Sequence, residues 1–157
     1  SAQPPRPRAR ALLSPFLSSA AMAMTGITVS DEVVAEFNEF KLKRTPYKFI
    51  LYKIEGDSVV KDVGLESGDF DEFVGALSSE PRFIVADFAY ETTDGRPTDK
   101  VVFISWIPDD ASVRFKMKYS GTKEALKSAF VGISVNLNAT GFDEITHDII
   151  IEACNKV

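Results

Sequence analysis

Five cations, Arg114, Lys116, Lys118, Lys123 and Lys127, are interleaved with apolar side chains in the stretch Trp106 to Lys127, WIPDDASVRFKMKYSGTKEALK. Guanidinium and ammonium groups in such a run make charge-assisted hydrogen bonds to carboxylates or carbonyls of a partner. The whole chain has a formal net charge of -5, so this segment is a local reversal of sign and points to a partner with an acidic or polar groove. Side chains able to do covalent or metal chemistry are sparse. His147, the one histidine, stands in a Thr-His-Asp run without an HxxxH or HxxE partner and reads as a surface residue of the last helix. Cys154, the one cysteine, excludes an internal disulfide and a cysteine-based zinc site. It would be nucleophilic only with a depressed pKa, the reverse of what apolar burial does. The carboxylates are scattered, and neither a GxxxxGK(S/T) nor a GxGxxG phosphate loop is present. No enzymatic activity, no metal and no cofactor are expected.

The chain that must position these cations has 157 residues and is 45% hydrophobic, which suits one domain with a sizeable core. Acidic balance argues against nucleic acid as a partner, because no excess of Lys and Arg is available to neutralise phosphates. No apolar run approaches the roughly 18–20 residues of a membrane span. One cysteine fits a reducing compartment, so a cytoplasmic protein is expected. Residues 1–23 have a composition of their own, with Arg6, Arg8 and Arg10, four prolines, many Ser and Ala, and no acid. They read as a disordered leader, a cloning-derived tail or a targeting segment, ahead of a domain at 24–157. The 18 basic residues of the chain include those three arginines, so 15 remain against 23 acids and the domain is nearer -8.

From Thr25 onward helices and strands alternate. Ser30 predicts a helix cap, followed by Asp31 and Glu32 in the first turn, an apolar stripe of Val33, Val34, Phe37 and Phe40, and basic residues at the end before Pro46. Tyr47 to Ile54 is a nearly continuous apolar run, as in a strand covered on both faces. Gly56-Asp57 predicts a turn into a second strand, Ser58 to Val63. A short helix fits Phe70 to Leu77, and Arg82–Phe88 and Val101–Ile107 read as strands around a TTDGRPTD loop. Gly132–Leu137 reads as a short strand and Phe142 to Cys154 as a helix with Ile145, Ile149 and Ile150 inward. The basic segment is ambiguous. Between Val113 and Tyr119 the apolar residues recur at every second position, the period of a strand, and the pattern turns helical only from Lys123.

The same segment resembles the actin-binding signature of the ADF/cofilin family, W-x-P-D-x-A-x-x-(K/R)-x-K-M-x-Y-(A/S)-(S/T)-(S/T)-K-(D/E)-x-(I/L). Trp106, Pro108, Asp109, Ala111, Arg114, Lys116, Met117, Tyr119, Ser120, Thr122, Lys123, Glu124 and Leu126 fit it in order. TGITVSDE resembles the family's N-terminal motif, FNEFKLKRTPYKFILYKI its first helix and strand, RFIVADFAYE and KVVFISWIPD its two central strands, and KSAFVGISVNLNATGFDEIT the approach to its last helix. The resemblance runs from Thr25 to about Lys156. It implies an α/β fold of the α+β type, a single domain with a mixed five-stranded sheet flanked by helices on both faces. It also implies one long helix, kinked near Tyr119–Gly121, where periodicity alone reads strand then helix.

The resemblance further implies a cytoskeletal protein that binds ADP-actin monomers and filaments, severs and depolymerises filaments, acts as a monomer and has no catalytic site. A monomer binder with weak filament activity, a coactosin-like or glia-maturation-factor-like relative, and a phosphoinositide-binding module are the alternatives. Carried over residue by residue, the monomer contact comprises Thr25, Gly26, Ile27, Val29, Arg114, Lys116, Met117, Lys123, Glu124 and Lys127, with Ile27 or Val29 exposed on a tail that a partner cleft captures. Thr25 takes the place of the phosphorylatable serine before the Gly-(I/V)-x-V motif. Trp106 reads as core. The filament contact comprises Arg96, Lys100, Glu152 and Lys156. There the chain departs from the family: Pro97-Thr98-Asp99-Lys100 stands where (K/R)-(K/R)-(S/T)-K is usual, and Ala153 replaces a base. Weak filament decoration is expected from that loss of charge.

Overall fold

Alternating apolar side chains on long central strands supply two buried faces, and each recruits a pair of helices. The structure, a computed structural model, describes residues 21–22 and 26–156. Its strands are β1 (Ala21–Met22), β2 (Thr28–Val29), β3 (Phe49–Glu55), β4 (Ser58–Leu65), β5 (Arg82–Glu91), β6 (Pro97–Trp106) and β7 (Val135–Ala139). They form one mixed sheet in the order β1-β2-β4-β3-β5-β6-β7, with parallel pairing only between β2 and β4 and between β6 and β7. The expected five strands are β3 to β7, and the two-residue strands β1 and β2 extend that sheet to seven. Of residues 1–23 only Ala21 and Met22 are described, paired antiparallel with Val29 and Thr28.

Helix α1 (Asp31–Lys41) starts where Ser30 Oγ accepts from Val33 N and buries Val33, Phe37 and Phe40. It ends on Lys41, the first residue of the predicted basic tail, and leaves Lys43 and Arg44 outside, because Lys43 turns to a φ of 62°. With α3 (Val113–Ala129) it covers one face of the sheet, over Ile50, Tyr52, Phe83, Val85 and Phe103, and Phe37 stacks on Phe130 at 4.3 Å. Helices α2 (Phe70–Gly75) and α4 (His147–Asn155) cover the other face, over Phe49, Leu51, Ile84, Val102, Ile104 and Trp106. Neighbouring residues of β3 thus enter opposite layers, the reason its sequence is continuously apolar.

Three of the departures from the expected boundaries have a local interaction behind them. β6 begins at Pro97 rather than Val101, because the hairpin is longer: Thr92 N donates to Arg96 O and Gly95 N to Thr92 O, both at 2.9 Å. Proline is tolerated at the first position of a strand. β7 lies at Val135–Ala139 rather than 132–137, since Gly132 adopts a φ of 106° and Ser134 N bonds to Val101 O. The last helix is broken. Phe142–Glu144 form a 3-10 turn, Glu144 carboxylate accepts from Thr140 N at 2.7 Å, and Thr146 Oγ1 caps α4 by accepting from Ile149 N. Ile145 and Ile150 are buried, and Ile149 only half so.

Candidate functional site

Helix α3 begins where Pro108 has ended the preceding strand and Ser112 Oγ accepts from Phe115 N at 3.2 Å. It then runs through Gly121 to Ala129 without a break. The strand-like alternation resolves into two i, i+4 pairs on different sides of this helix. Phe115 and Tyr119 turn toward Arg82 and Ile54, with Tyr119 3% exposed and its hydroxyl accepting from Ile54 N at 2.9 Å. Val113 and Met117 turn outward and are 72% and 69% exposed. Together they form a small apolar patch on one helix face, flanked by charge. Arg114 and Glu124 are exposed on this helix too.

Two other basic residues of α3 are held by neighbours. Lys123 Nζ donates to Asn138 Oδ1 at 3.1 Å, and Lys127 pairs with Glu124 at 3.2 Å. Lys116 is half-buried beside Ser120 and Thr140. β1 and β2 pack against the same helix, which brings the N-terminal end of the domain to this surface. Gly26 is exposed with a φ of 83°, a conformation that glycine adopts without strain. The expectation of an exposed Ile27 or Val29 is corrected here. Both are buried, at 2% and 0%, because Thr28 N donates to Asp57 O and β2 pairs with β4, turning both side chains into the α1–α3 layer. Thr25 lies outside the described residues.

The second surface is built at the far end of β6. Lys100 and Trp106 are separated by roughly 20 Å of strand, at about 3.3 Å per residue. Lys100 Nζ donates to the Cys154 carbonyl at 2.9 Å, tying β6 to the last turn of α4, where Glu152 and Lys156 are exposed. Arg96 is exposed on the β5–β6 turn and pairs with Asp94 at 3.2 Å. Asp99 meets Lys43 at 3.2 Å, and the same ammonium lies 2.7 Å from the nearly buried Asp87. Those bonds to Asp87 and Asp99 outweigh desolvation and raise the pKa of Lys43. Sequence reasoning missed this pairing; the positive φ that swings Lys43 across the sheet end has no signal in the residue pattern.

Residues set aside as structural are so. Trp106 is 1% exposed and its Nε1 donates to Ser78 O at 2.9 Å. Cys154 is buried, and that burial pushes its thiol pKa upward against a smaller opposing effect of Lys100. His147 opens α4 with its ring against Phe70 and Phe88. Among the described residues no three His, Cys, Asp or Glu side chains are grouped to hold a metal ion, and none of their helices is long and apolar enough to cross a membrane. Two polar groups escaped the sequence reading altogether: Tyr52 on β3 and Ser105 on β6, 0% and 2% exposed, whose hydroxyls have no hydrogen-bond partner among the described residues.

A single sheet-and-helix domain that exposes Val113, Met117 and Arg114 together on one helix has a surface suited to binding another protein. A family model described as cofilin/tropomyosin-type actin-binding protein matches residues 26–155. Cofilin of Gibberella zeae is 37% identical over 150 residues, covering 86% of this chain and 97% of that protein. Actin-depolymerizing factor 7 of Arabidopsis thaliana is 39% identical over 132 residues, covering 83% and 96%. The crystal structure of Streptomyces griseoflavus cofilin superposes with a TM-score of 0.77 at 30% identity, covering 83% of this chain and 98% of that one. Human coactosin-like protein shares the fold at a TM-score of 0.69 and 16% identity. The chain belongs to the cofilin/ADF family of actin-binding, non-enzymatic proteins.

Proposed function

We propose that this protein binds actin monomers, with preference for the ADP-bound form, and filaments, and that it promotes filament severing and depolymerisation. The observation that carries this reading is the outward face of α3, where Val113 and Met117 stand exposed beside Arg114. Gly26, Arg114, Lys116, Met117, Lys123, Glu124 and Lys127 form the monomer contact in this reading. Ile27 and Val29 act by anchoring the end that carries Gly26 rather than by touching the partner. Thr25 is the proposed phosphorylation site, where about -1.5 to -2 of added charge opposes docking against an acidic partner. The acting unit is a monomer of the domain at 24–157, working in the cytoplasm on the actin cytoskeleton.

A second reading concerns degree. Filament contact through Arg96, Lys100, Glu152 and Lys156 is weak, because Asp99 and Asp87 hold Lys43, and Lys100 is turned to a backbone carbonyl. Brief, sparse binding then severs without decorating. Time-resolved fluorescence imaging of single filaments tests both. Cuts and faster end shrinkage at low occupancy are expected; filaments that neither break nor shorten at saturating protein would overturn the function proposed.

A further inference from the structure

Between α3 and the ends of β6 and β7 lies a cavity of about 270 Å³, and its wall includes Ser105, Lys116, Ser120, Lys123, Asn138 and Thr140. Alternation along β6 puts Ser105 on the face of Phe103, beneath α3, with Asn138 as its register neighbour on β7. The Ser105 hydroxyl is buried and unpartnered, a costly state for a polar group unless something occupies the space it faces. Lys123 Nζ donates to Asn138 Oδ1, which keeps the amide NH2 of Asn138 for another acceptor. Lys116 Nζ has no ion-pair or hydrogen-bond partner among the described residues. Against these donors stands one carboxylate on the wall, Asp109, whose backbone N–H is bonded to Thr140 O at 3.0 Å.

We propose that this cavity binds a soluble phosphate group, as inorganic phosphate or a small phosphomonoester, seated between Lys116 and Lys123 with the Ser105 hydroxyl as its buried donor. Two ammonium groups, the hydroxyls of Ser105 and Ser120 and an amide match an anion that presents several acceptor oxygens in a small volume, while the Thr140 hydroxyl is already given to the Glu144 carboxylate at 2.8 Å. A headgroup held in a bilayer meets the exposed cations of α3 first and has no need of Ser105. That serine separates the two sources of phosphate. The site shares Lys116 and Lys123 with the actin contact, so its regulatory consequence, competition between phosphate and actin, rests on the function proposed above. Binding of phosphate itself does not.

The test is an NMR titration of the full chain, labelled with nitrogen-15, using sodium phosphate and, at matched ionic strength, sodium chloride. Saturable shifts confined to Ser105, Lys116, Ser120, Lys123, Asn138 and Thr140 are expected with phosphate alone. Ser105→Ala should bind phosphate about tenfold more weakly, as should Lys123→Ala. Its unfolding midpoint should stay level or rise, because it removes an unpaired buried hydroxyl. Lys118→Ala, an equal loss of charge on the same helix but off the cavity, should change phosphate affinity by less than twofold. The proposal is overturned by shifts equal in both salts, by Ser105→Ala binding as tightly as the parent, or by phosphoinositide-bearing phosphatidylcholine vesicles binding where inorganic phosphate does not. Competition is read separately by adding phosphate to the actin-bound protein. Phosphate that binds as stated yet leaves actin affinity unchanged supports the cavity and sinks the assignment of Lys116 and Lys123 to actin.

Discussion

Arg114 is exposed and Lys116 half-buried on α3, and neither makes an ion pair among the described residues. Replacing both with Ala therefore removes two cations without stranding a buried counter-charge. Truncating interface anchors of this kind costs about 2 kcal/mol or more. Affinity for ADP-actin monomers should fall at least about tenfold by fluorescence titration, with the thermal midpoint nearly unchanged; affinity held within twofold would remove these residues from the contact. Tyr119 is the opposite case. Its ring lies against Phe83 at 5.1 Å and its hydroxyl accepts from Ile54 N, so Tyr119→Phe keeps the packing and strips one hydrogen bond from a part-buried amide. A loss of about 1 kcal/mol in urea unfolding is expected, without a change in slope. Unchanged stability would mean that water replaces the hydroxyl freely. The cations were legible in the sequence because a match of thirteen residues in order singles them out. Ser105 was not, since nothing in a strand sequence tells a bonded serine from an orphaned one.

At the scale of elements, regular stretches were readable and their ends were not. The stripe of Val33, Phe37 and Phe40 and the acid-first charge order predict α1, and its start falls on Ser30 as read. Its end depends on Lys43 leaving the helix for two carboxylates distant in sequence. Residues 113–119 expose a limit of periodicity itself: over seven residues, every-second spacing is also two i, i+4 pairs, and only the Ser112 cap and the tertiary surroundings choose between them. Ile27 and Val29 look like an apolar tail in sequence, and become core because β2 finds β4, a pairing that no local pattern encodes. The join between α3 and β7 carries a prediction. Gly132 has a φ of 106°, and a Cβ there would lie 2.7 Å from Lys41 Cδ, whose ammonium donates to Val131 O at 2.7 Å. Gly132→Ala should cost about 1–3 kcal/mol by backbone strain, with displacement of Lys41 added. Gly95→Ala, at a φ of 87° with nothing within 4 Å of the new methyl, should cost the strain alone. Thermal unfolding of the two variants side by side checks this, and Gly132→Ala as stable as the parent would show that the loop relaxes.

Across the whole molecule the two proposed contacts lie at opposite ends of β6, which makes them separable by mutation. The sequence already marked the second contact as short of charge, and the structure adds that its nearest spare cation, Lys43, is held by Asp99 and Asp87. Asp99→Lys reverses both effects at once, since it supplies a missing base and removes one of the carboxylates holding Lys43. Asp99 and Lys43 are each about half exposed, 49% and 52%, so losing their pair costs at most about 1 kcal/mol. Asp87 remains beside Lys43 at 2.7 Å and limits the freed ammonium, so the gain comes mainly from the new lysine. Filament co-sedimentation at moderate salt should tighten severalfold in Asp99→Lys and weaken more steeply as salt is raised, the mark of an added charge contact. Monomer affinity should stay within twofold, because the α3 surface is untouched. Tightening of both contacts together would mean that net charge alone governs binding, and no change in either would mean that the β5–β6 turn does not meet the filament.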